Sequence, residues 1–171
     1  KEAEKLGCEV FQVFSRPPYG GTAPKLPDTI GKEFRAACKT AKQKTCYIHA
    51  PYFVQLASKD NRIFYGSISA LRRELEVGDL IGASYVMTHI GSAKDLPKKK
   101  ALDLVIKGLG KVFEDKKTHA CELLLEMSAG AGSVIGDTFE ELAAIINAVT
   151  KSHGIELGIC LDTQHSFASG Y

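Results

Sequence analysis

Cys46-Tyr47-Ile48-His49, Tyr85-Val86-Met87-Thr88-His89, Leu123-Leu124-Leu125-Glu126 and Ile159-Cys160-Leu161-Asp162 are four short apolar runs, each ending in a histidine or a carboxylate. A small-residue turn lies just beyond, and His165 follows the last run at once. With Glu9 to Phe14 they make five strand candidates, ending at positions 14, 49, 89, 126 and 162. Spacings of 35 to 40 residues leave room for one strand, loop, helix and return per step, as repeated βαβ units require. A run such as Leu123-Leu124-Leu125 suits a strand buried on both faces. Strands that deliver ligand-type side chains at matching ends predict a parallel α/β barrel with its chemistry at the C-terminal rim. Imidazole and carboxylate together form a zinc-type donor set.

The gaps between strands carry helical period. Phe64, Ile68, Leu71 and Leu75 make one apolar stripe. Leu102, Val105, Ile106, Leu109, Val112 and Phe113 make a second, entered through Pro97. Phe139, Leu142, Ala143, Ile146 and Val149 make a third, with Asp137 and Glu140 as a capping-box-like pair. Asp28 to Lys42 reads as a weaker helix with Ile30, Phe34 and Ala37 inward, and Lys1 to Leu6 as a helix feeding the first strand. Lys98-Lys99-Lys100 reads as a solvated helix start, and Gly110 needs no special role. The loops Ser15 to Pro27 and Pro51 to Asn61 are long. Both leave strand ends, where a barrel enzyme places substrate recognition.

Composition narrows the class. A chain of 171 residues with 44% hydrophobic content supports one domain with a real core. A net charge of +2 argues against a strongly basic, sequence-blind nucleic-acid coat. The five cysteines, Cys8, Cys38, Cys46, Cys121 and Cys160, form no CxxC and read as buried reduced thiols in a cytoplasmic protein. No apolar run approaches the ~18 residues of a membrane span, and no signal peptide is visible. A complete barrel takes about 250 residues, so the expectation is a single partial-barrel domain over residues 1–171, truncated at both ends.

Taken singly, each ligand candidate has an ordinary alternative. His49 and His89 read equally as hydrogen-bonded structural residues, and Glu126 as the partner of a buried cation. Asp162 reads as a helix cap and His165 as a surface imidazole. Convergence favours the site: adjacent strand ends in a barrel lie within side-chain reach, and crowded carboxylates and imidazoles need a cation or a proton between them. His119 and His153 precede strands, on the opposite rim, and are given no role beyond surface or capping positions.

Four segments resemble signature blocks of the endonuclease IV family, the zinc-dependent apurinic/apyrimidinic endonucleases of DNA base-excision repair. They are Tyr47-Ile48-His49-Ala50-Pro51-Tyr52, Thr88-His89-Ile90-Gly91-Ser92, Leu125-Glu126-Met127-Ser128-Ala129-Gly130 and Leu161-Asp162-Thr163-Gln164-His165-Ser166-Phe167-Ala168-Ser169-Gly170-Tyr171. The resemblance runs through essentially the whole chain in order. It implies an α/β (β/α)8 TIM barrel of the xylose-isomerase-like type, present here as about strands two to six. It also implies up to three zinc ions, with manganese an alternative at one site. By similarity, His49 and His89 hold one zinc, Glu126 bridges to a second and is the catalytic carboxylate, Asp162 holds the second, and His165 holds the third.

The implied reaction is hydrolysis of the phosphodiester 5′ to an abasic site in double-stranded DNA, by hydroxide activated at the zinc cluster. It leaves a 3′-hydroxyl and a 5′-deoxyribose phosphate, and no organic cofactor takes part. Family members fill the gap in the base stack with loop side chains; Tyr52 and Phe53 occupy the matching loop here. The first loop of the family carries an intercalating arginine, where this chain has Arg16-Pro17-Pro18-Tyr19. Tyr19 falls nearest that position and Arg16, also a candidate DNA contact, does not align with it. A tyrosine can wedge into a stack without supplying the arginine's charge. Lys25, Lys59 and Arg62 are candidate phosphate contacts. The intact protein is expected to be monomeric and to need no membrane.

Two other classes fit parts of this pattern. A xylose-isomerase-like sugar isomerase or epimerase also gathers Glu, Asp and His around a divalent metal, with fewer imidazoles than the three here. A non-catalytic zinc-binding barrel fragment is the other, since an open barrel leaves its outer strands unpaired.

Overall fold

Alternation along five short strands determines the architecture. A computed structural model describes residues 2–94, 96–115 and 118–171. The strands are β1 (Val10–Val13), β2 (Thr45–His49), β3 (Tyr85–Thr88), β4 (Glu122–Glu126) and β5 (Gly158–Cys160). All neighbours pair in parallel, in the order β1-β2-β3-β4-β5. That order never reverses. A doubly wound sheet would switch direction partway, whereas sequential addition is how a (β/α) barrel grows. The molecule is a partial α/β barrel, open between β1 and β5.

Helices fill the crossovers: α1 (Glu2–Lys5), α2 (Asp28–Thr40), α3 (Asn61–Ile81), α4 (Lys98–Val112), α5 (Phe139–His153) and α6 (Thr163–Ala168). Lys1 of the expected opening helix lies outside the described residues. The α3 stripe of Phe64, Ile68, Leu71 and Leu75 is fully inward. Asp60 caps this helix, its carboxylate accepting from Arg62 N at 2.7 Å and Ile63 N at 3.3 Å.

Strand register sorts side chains between two faces, because residues alternate with period two. Cys46, Ile48, Val86, Leu123 and Leu125 face the helices and form the core with Leu71, Leu75 and Leu109. The opposite face carries Tyr47 paired with Tyr85, then His49 with Met87 and Leu124, then Glu126 with Cys160. Tyr47 and Tyr85 stack at 5.7 Å on that face. Continuing the alternation one or two residues past β3 and β5 puts His89 and Asp162 there too. One parity therefore delivers His49, His89, Glu126 and Asp162 to a single face and a single end.

Three helix details depart from expectation. Helix α2 ends at Thr40 rather than Lys42, which turns with φ 55°, and its buried position is Gly31 while Ile30 and Ala37 are exposed. Gly31 sits where a Cβ would strike the Leu80 carbonyl, so α2 rests on α3 through a backbone contact that apolar spacing does not encode. In α5 the buried apolar residues are Leu142, Ile145 and Val149; Ala143 is exposed and Phe139 turns out to meet the Tyr171 ring at 4.4 Å. The cap of α5 is Thr138, whose hydroxyl accepts from Glu141 N at 3.1 Å, one residue later than the Asp137 and Glu140 pair. Glu141 itself is drawn inward to accept from Gly136 N at 2.7 Å and to pair with Lys98 at 2.9 Å. Lys98 thus ties α4 to α5 as well as facing solvent.

Cys46 and Cys121 are buried, as expected of structural thiols, and Cys160 is half-buried. Cys8 is exposed and Cys38 half-buried, on helix and loop positions at the β1 side of the sheet. All five are free thiols. Among the described residues, no helix is long and apolar enough to cross a membrane.

Candidate metal centre

Glu126, the last residue of β4, is only 4% exposed and lies at the middle of the cluster. Its Oε2 is 3.1 Å from His49 Nε2 and 3.6 Å from His89 Nε2, and its Oε1 is 3.5 Å from His165 Nδ1. The His89 ring stands between the other two imidazoles, 5.4 Å from His49 and 5.3 Å from His165. Asp162 Oδ2 lies 3.8 Å from His165 Nδ1. Two sets of three residues each bring one ligand atom apiece within 4.8 Å of one another: His49, His89 and Glu126, and Glu126, Asp162 and His165. Glu126 belongs to both sets.

Hydrogen bonds fix which ring nitrogens are available. His49 Nδ1 lies 2.6 Å from the Ala50 carbonyl, which can only accept, so Nδ1 carries the proton. His165 Nδ1 lies 2.9 Å from the Met127 carbonyl, with the same consequence. His49 Nε2 then presents a lone pair to a carboxylate oxygen. Among the described residues Glu126 Oε2 is buried with no hydrogen-bond partner. Two acceptors at 3.1 Å repel unless a cation or an extra proton lies between them. The donors are nitrogen and carboxylate oxygen, three per set, which fits zinc.

The electrostatics carry the same signature. Burial pulls the His49 pKa down, but the Glu126 contact, the Ala50 carbonyl and the carboxylate charge outweigh it, and the net shift is upward. His89 is lowered, first by burial and then by the neighbouring His49 and His165, against the attraction of Glu126 and Asp162.

Local sequence explains the placement. Asp162 is both rim carboxylate and helix cap, its Oδ1 accepting from His165 N at 2.8 Å. Gly91 adopts φ 123°, and a Cβ there would collide with Gln55 Oε1, the acceptor for Ser92 N at 2.7 Å. The turn after His89 therefore requires glycine. Ser169 Oγ donates to the Ser128 carbonyl at 2.9 Å and accepts from Gly130 N at 2.7 Å. Those bonds bolt the loop after Glu126 to the helix that carries His165.

The candidate DNA-contacting residues separate into two groups. Tyr19 is 85% exposed, and Tyr52 and Phe53 are partly exposed on the neighbouring loop. Tyr52 packs against His49 at 5.2 Å, Phe14 at 5.4 Å and Tyr19 at 5.3 Å, so these rings form one aromatic ledge beside the cluster. Arg16 does not join that surface. Its side chain is 12% exposed, 3.5 Å from the buried Glu74 carboxylate, with its guanidinium 5.8 Å from the Phe53 ring centroid. Lys59 and Arg62 line a cavity of about 580 Å³ beside the rim, with Phe53, Ile63 and Lys94. Lys25 is exposed on the first loop, away from that cavity.

On the opposite side of the molecule, His119 Nδ1 meets Asp79 at 2.6 Å, and the His153 ring lies where a Cβ on Gly110 would fall. Glu74 is a buried residue that the sequence-based expectations missed. The signal was present: a carboxylate at position 74 falls on the inward stripe between Leu71 and Leu75.

Sequential parallel strands with imidazoles and carboxylates at their C-terminal ends define the class of xylose-isomerase-like barrels. The family model described as "Xylose isomerase-like TIM barrel" matches residues 1–171. The "Probable endonuclease 4" of Methanoculleus marisnigri is 34% identical over 165 residues, covering 96% of this chain and 58% of that protein. The "Probable endonuclease 4" of Natranaerobius thermophilus is 38% identical over 170 residues, covering 99% and 58%. The crystal structure of endonuclease IV from Thermus thermophilus superposes with TM-score 0.80 at 30% identity, covering 99% of this chain and 58% of that one. This chain belongs to the endonuclease IV family. A D-psicose 3-epimerase shares the fold alone, with TM-score 0.75 at 15% identity. The chain spans under two thirds of the length of the curated relatives it matches.

Proposed function

We propose that this chain carries the zinc-binding rim of a DNA repair endonuclease that cleaves the phosphodiester 5′ to abasic sites in double-stranded DNA. The observation that carries the reading is the buried, unpartnered Glu126 Oε2 facing His49 Nε2 at 3.1 Å, with Glu126 shared by two ligand sets. His49 and His89 would hold one ion with Glu126, Asp162 a second with the same carboxylate, and His165 a third. Zinc bound there supplies Lewis acidity, an activated water and neutralisation of phosphate charge.

The chain's own residues orient and select. The Ala50 carbonyl accepts from His49 Nδ1 and so leaves Nε2, the nitrogen facing Glu126, free to ligate; the Met127 carbonyl meets His165 Nδ1. The aromatic ledge of Tyr19 and Tyr52, with Phe53 beside it, offers flat apolar surface where a missing base leaves a gap. An abasic nucleotide leaves the stack at lower cost than a paired one. Lys25, Lys59 and Arg62 supply phosphate attraction without sequence preference. The products are a 3′-hydroxyl and a 5′-deoxyribose phosphate.

The test is a chimaera in which this sequence replaces the matching stretch of the Thermus thermophilus endonuclease IV. With zinc, it is expected to nick an abasic duplex and to leave a panel of ketoses unchanged. Ketose isomerisation without nicking would assign the site to the sugar-isomerase class instead.

A further inference from the structure

Glu74 has no solvent exposure and sits on the inward stripe of α3, outside both ligand sets. Its carboxylate is met from the loop after β1. Ser15 Oγ donates to Oε2, and Arg16 Nε lies 3.5 Å from Oε1. Neither Arg16 Nε nor Glu74 Oε1 has a hydrogen-bond partner among the described residues. Each is the other's nearest compensation for a buried charge, an arrangement that fails badly when one partner is removed.

From this anchor the loop runs toward the rim. Arg16 lies over the Phe53 ring. Pro17 and Pro18 follow, and each fixes its own φ, so the direction of the chain at Arg16 passes stiffly to Tyr19. The Pro18 carbonyl accepts from Tyr52 N at 2.9 Å, and the Tyr19 and Tyr52 rings meet at 5.3 Å. One buried carboxylate is thus coupled to all three exposed aromatic residues beside the metal cluster.

We propose that Glu74 is a positioning residue for damage recognition: through Ser15 and Arg16 it sets the height and angle of Tyr19, Tyr52 and Phe53, and so the preference for a duplex lacking a base. The inference rests on the reading that these rim loops meet abasic DNA. It assigns Arg16 an inward role, as the link between Glu74 and the ledge.

The experiment uses the zinc-loaded chimaera that carries this sequence and two duplexes that differ only by one tetrahydrofuran abasic analogue, followed by fluorescence anisotropy. Glu74→Gln is expected to lose about tenfold of the abasic-over-intact preference, because the recognition surface is no longer preorganised. Intact-duplex affinity should move by no more than about twofold, since it rests on phosphate contacts. Bound zinc should be unchanged, and amide hydrogen exchange at Arg16 and Tyr19 should accelerate. Arg16→Gln should reproduce the loss, and Arg16→Lys, which keeps a cation for Glu74, should rescue most of it. Unchanged preference in Glu74→Gln would overturn the proposal. So would an Arg16→Gln variant weakened equally on both duplexes, which would make Arg16 a phosphate contact. Should Glu74→Gln fail to fold, the two Arg16 variants, altered only in a loop, decide the matter. An unsubstituted chimaera that does not distinguish the duplexes would refute the functional reading itself and this inference with it.

Discussion

Glu126 Oε2 lies 3.1 Å from His49 Nε2 while the other nitrogen of that ring is tied to the Ala50 carbonyl. The lone pairs that remain point at each other, and neither residue has solvent to relieve the conflict. A cation between them would relieve that conflict, and Glu126 belongs to both ligand sets.

Glu126→Gln should abolish incision by the chimaera while leaving duplex binding largely in place. The substitution keeps the volume but replaces an anionic ligand by a neutral amide. Zinc affinity should fall by more than the ~10–100-fold that even outer hydrogen-bonding partners of metal ligands control. Gel-resolved nicking and a chelator-competition titration read the two effects separately. Wild-type incision would refute the shared-ligand role.

Asp162 separates capping from ligation. Asp162→Asn retains a good cap for α6 and should leave stability nearly intact while weakening zinc binding. Asp162→Ala should weaken zinc binding and cost a further ~1 kcal/mol through the lost cap. Urea unfolding with and without zinc distinguishes them; equal metal affinity in all three proteins would reduce Asp162 to a cap.

Cys46 and Cys121 make stability fall in alkali. Burial pushes their thiols from an ordinary 9.0 up to about 11 and about 12, with neighbouring ionisable groups adding to it. Between the unfolded and folded values the unfolded chain holds fewer protons than the folded one, so stability declines as pH rises. The slope is about 1.4 kcal/mol per pH unit for each thiol once it has ionised in the unfolded chain. Urea midpoints from pH 8 to 10.5 should drop in the wild type and drop less steeply in the Cys46→Ala/Cys121→Ala variant, where Cys160, pushed to about 11, remains.

Open edges predict association and weak chemistry for the 171 residues by themselves. Among the described residues β1 and β5 each present an unpaired side, and Ile159 in β5 and Leu161 and Phe167 just after it are exposed. Sedimentation should show concentration-dependent self-association. Metal-dependent nicking should be feeble or absent; strong nicking by this chain would show that the described rim suffices.

Some of this organisation is legible because the underlying rule is local. Strand parity follows from backbone geometry, so the side shared by His49, His89 and Glu126 can be read from spacing alone. The α3 stripe survives for the same reason. What spacing leaves open depends on tertiary contacts. Ile145 and Ala143 both satisfy a helical repeat, and only the sheet beneath α5 selects Ile145. Thr138 displaces Asp137 as the cap because Glu141 is pulled inward to Gly136 and Lys98. Arg16 reads as a surface cation until Glu74, far along the chain, claims it.

The most direct test is anomalous scattering at the zinc edge from crystals grown with zinc. Two peaks are expected flanking Glu126, one bound by His49 and His89 and the other by Asp162, at the ~2.0–2.2 Å typical of zinc with nitrogen and carboxylate ligands, with His165 the ligand of a further ion. A zinc-free cluster under saturating metal, or ions held elsewhere on the chain, would contradict it.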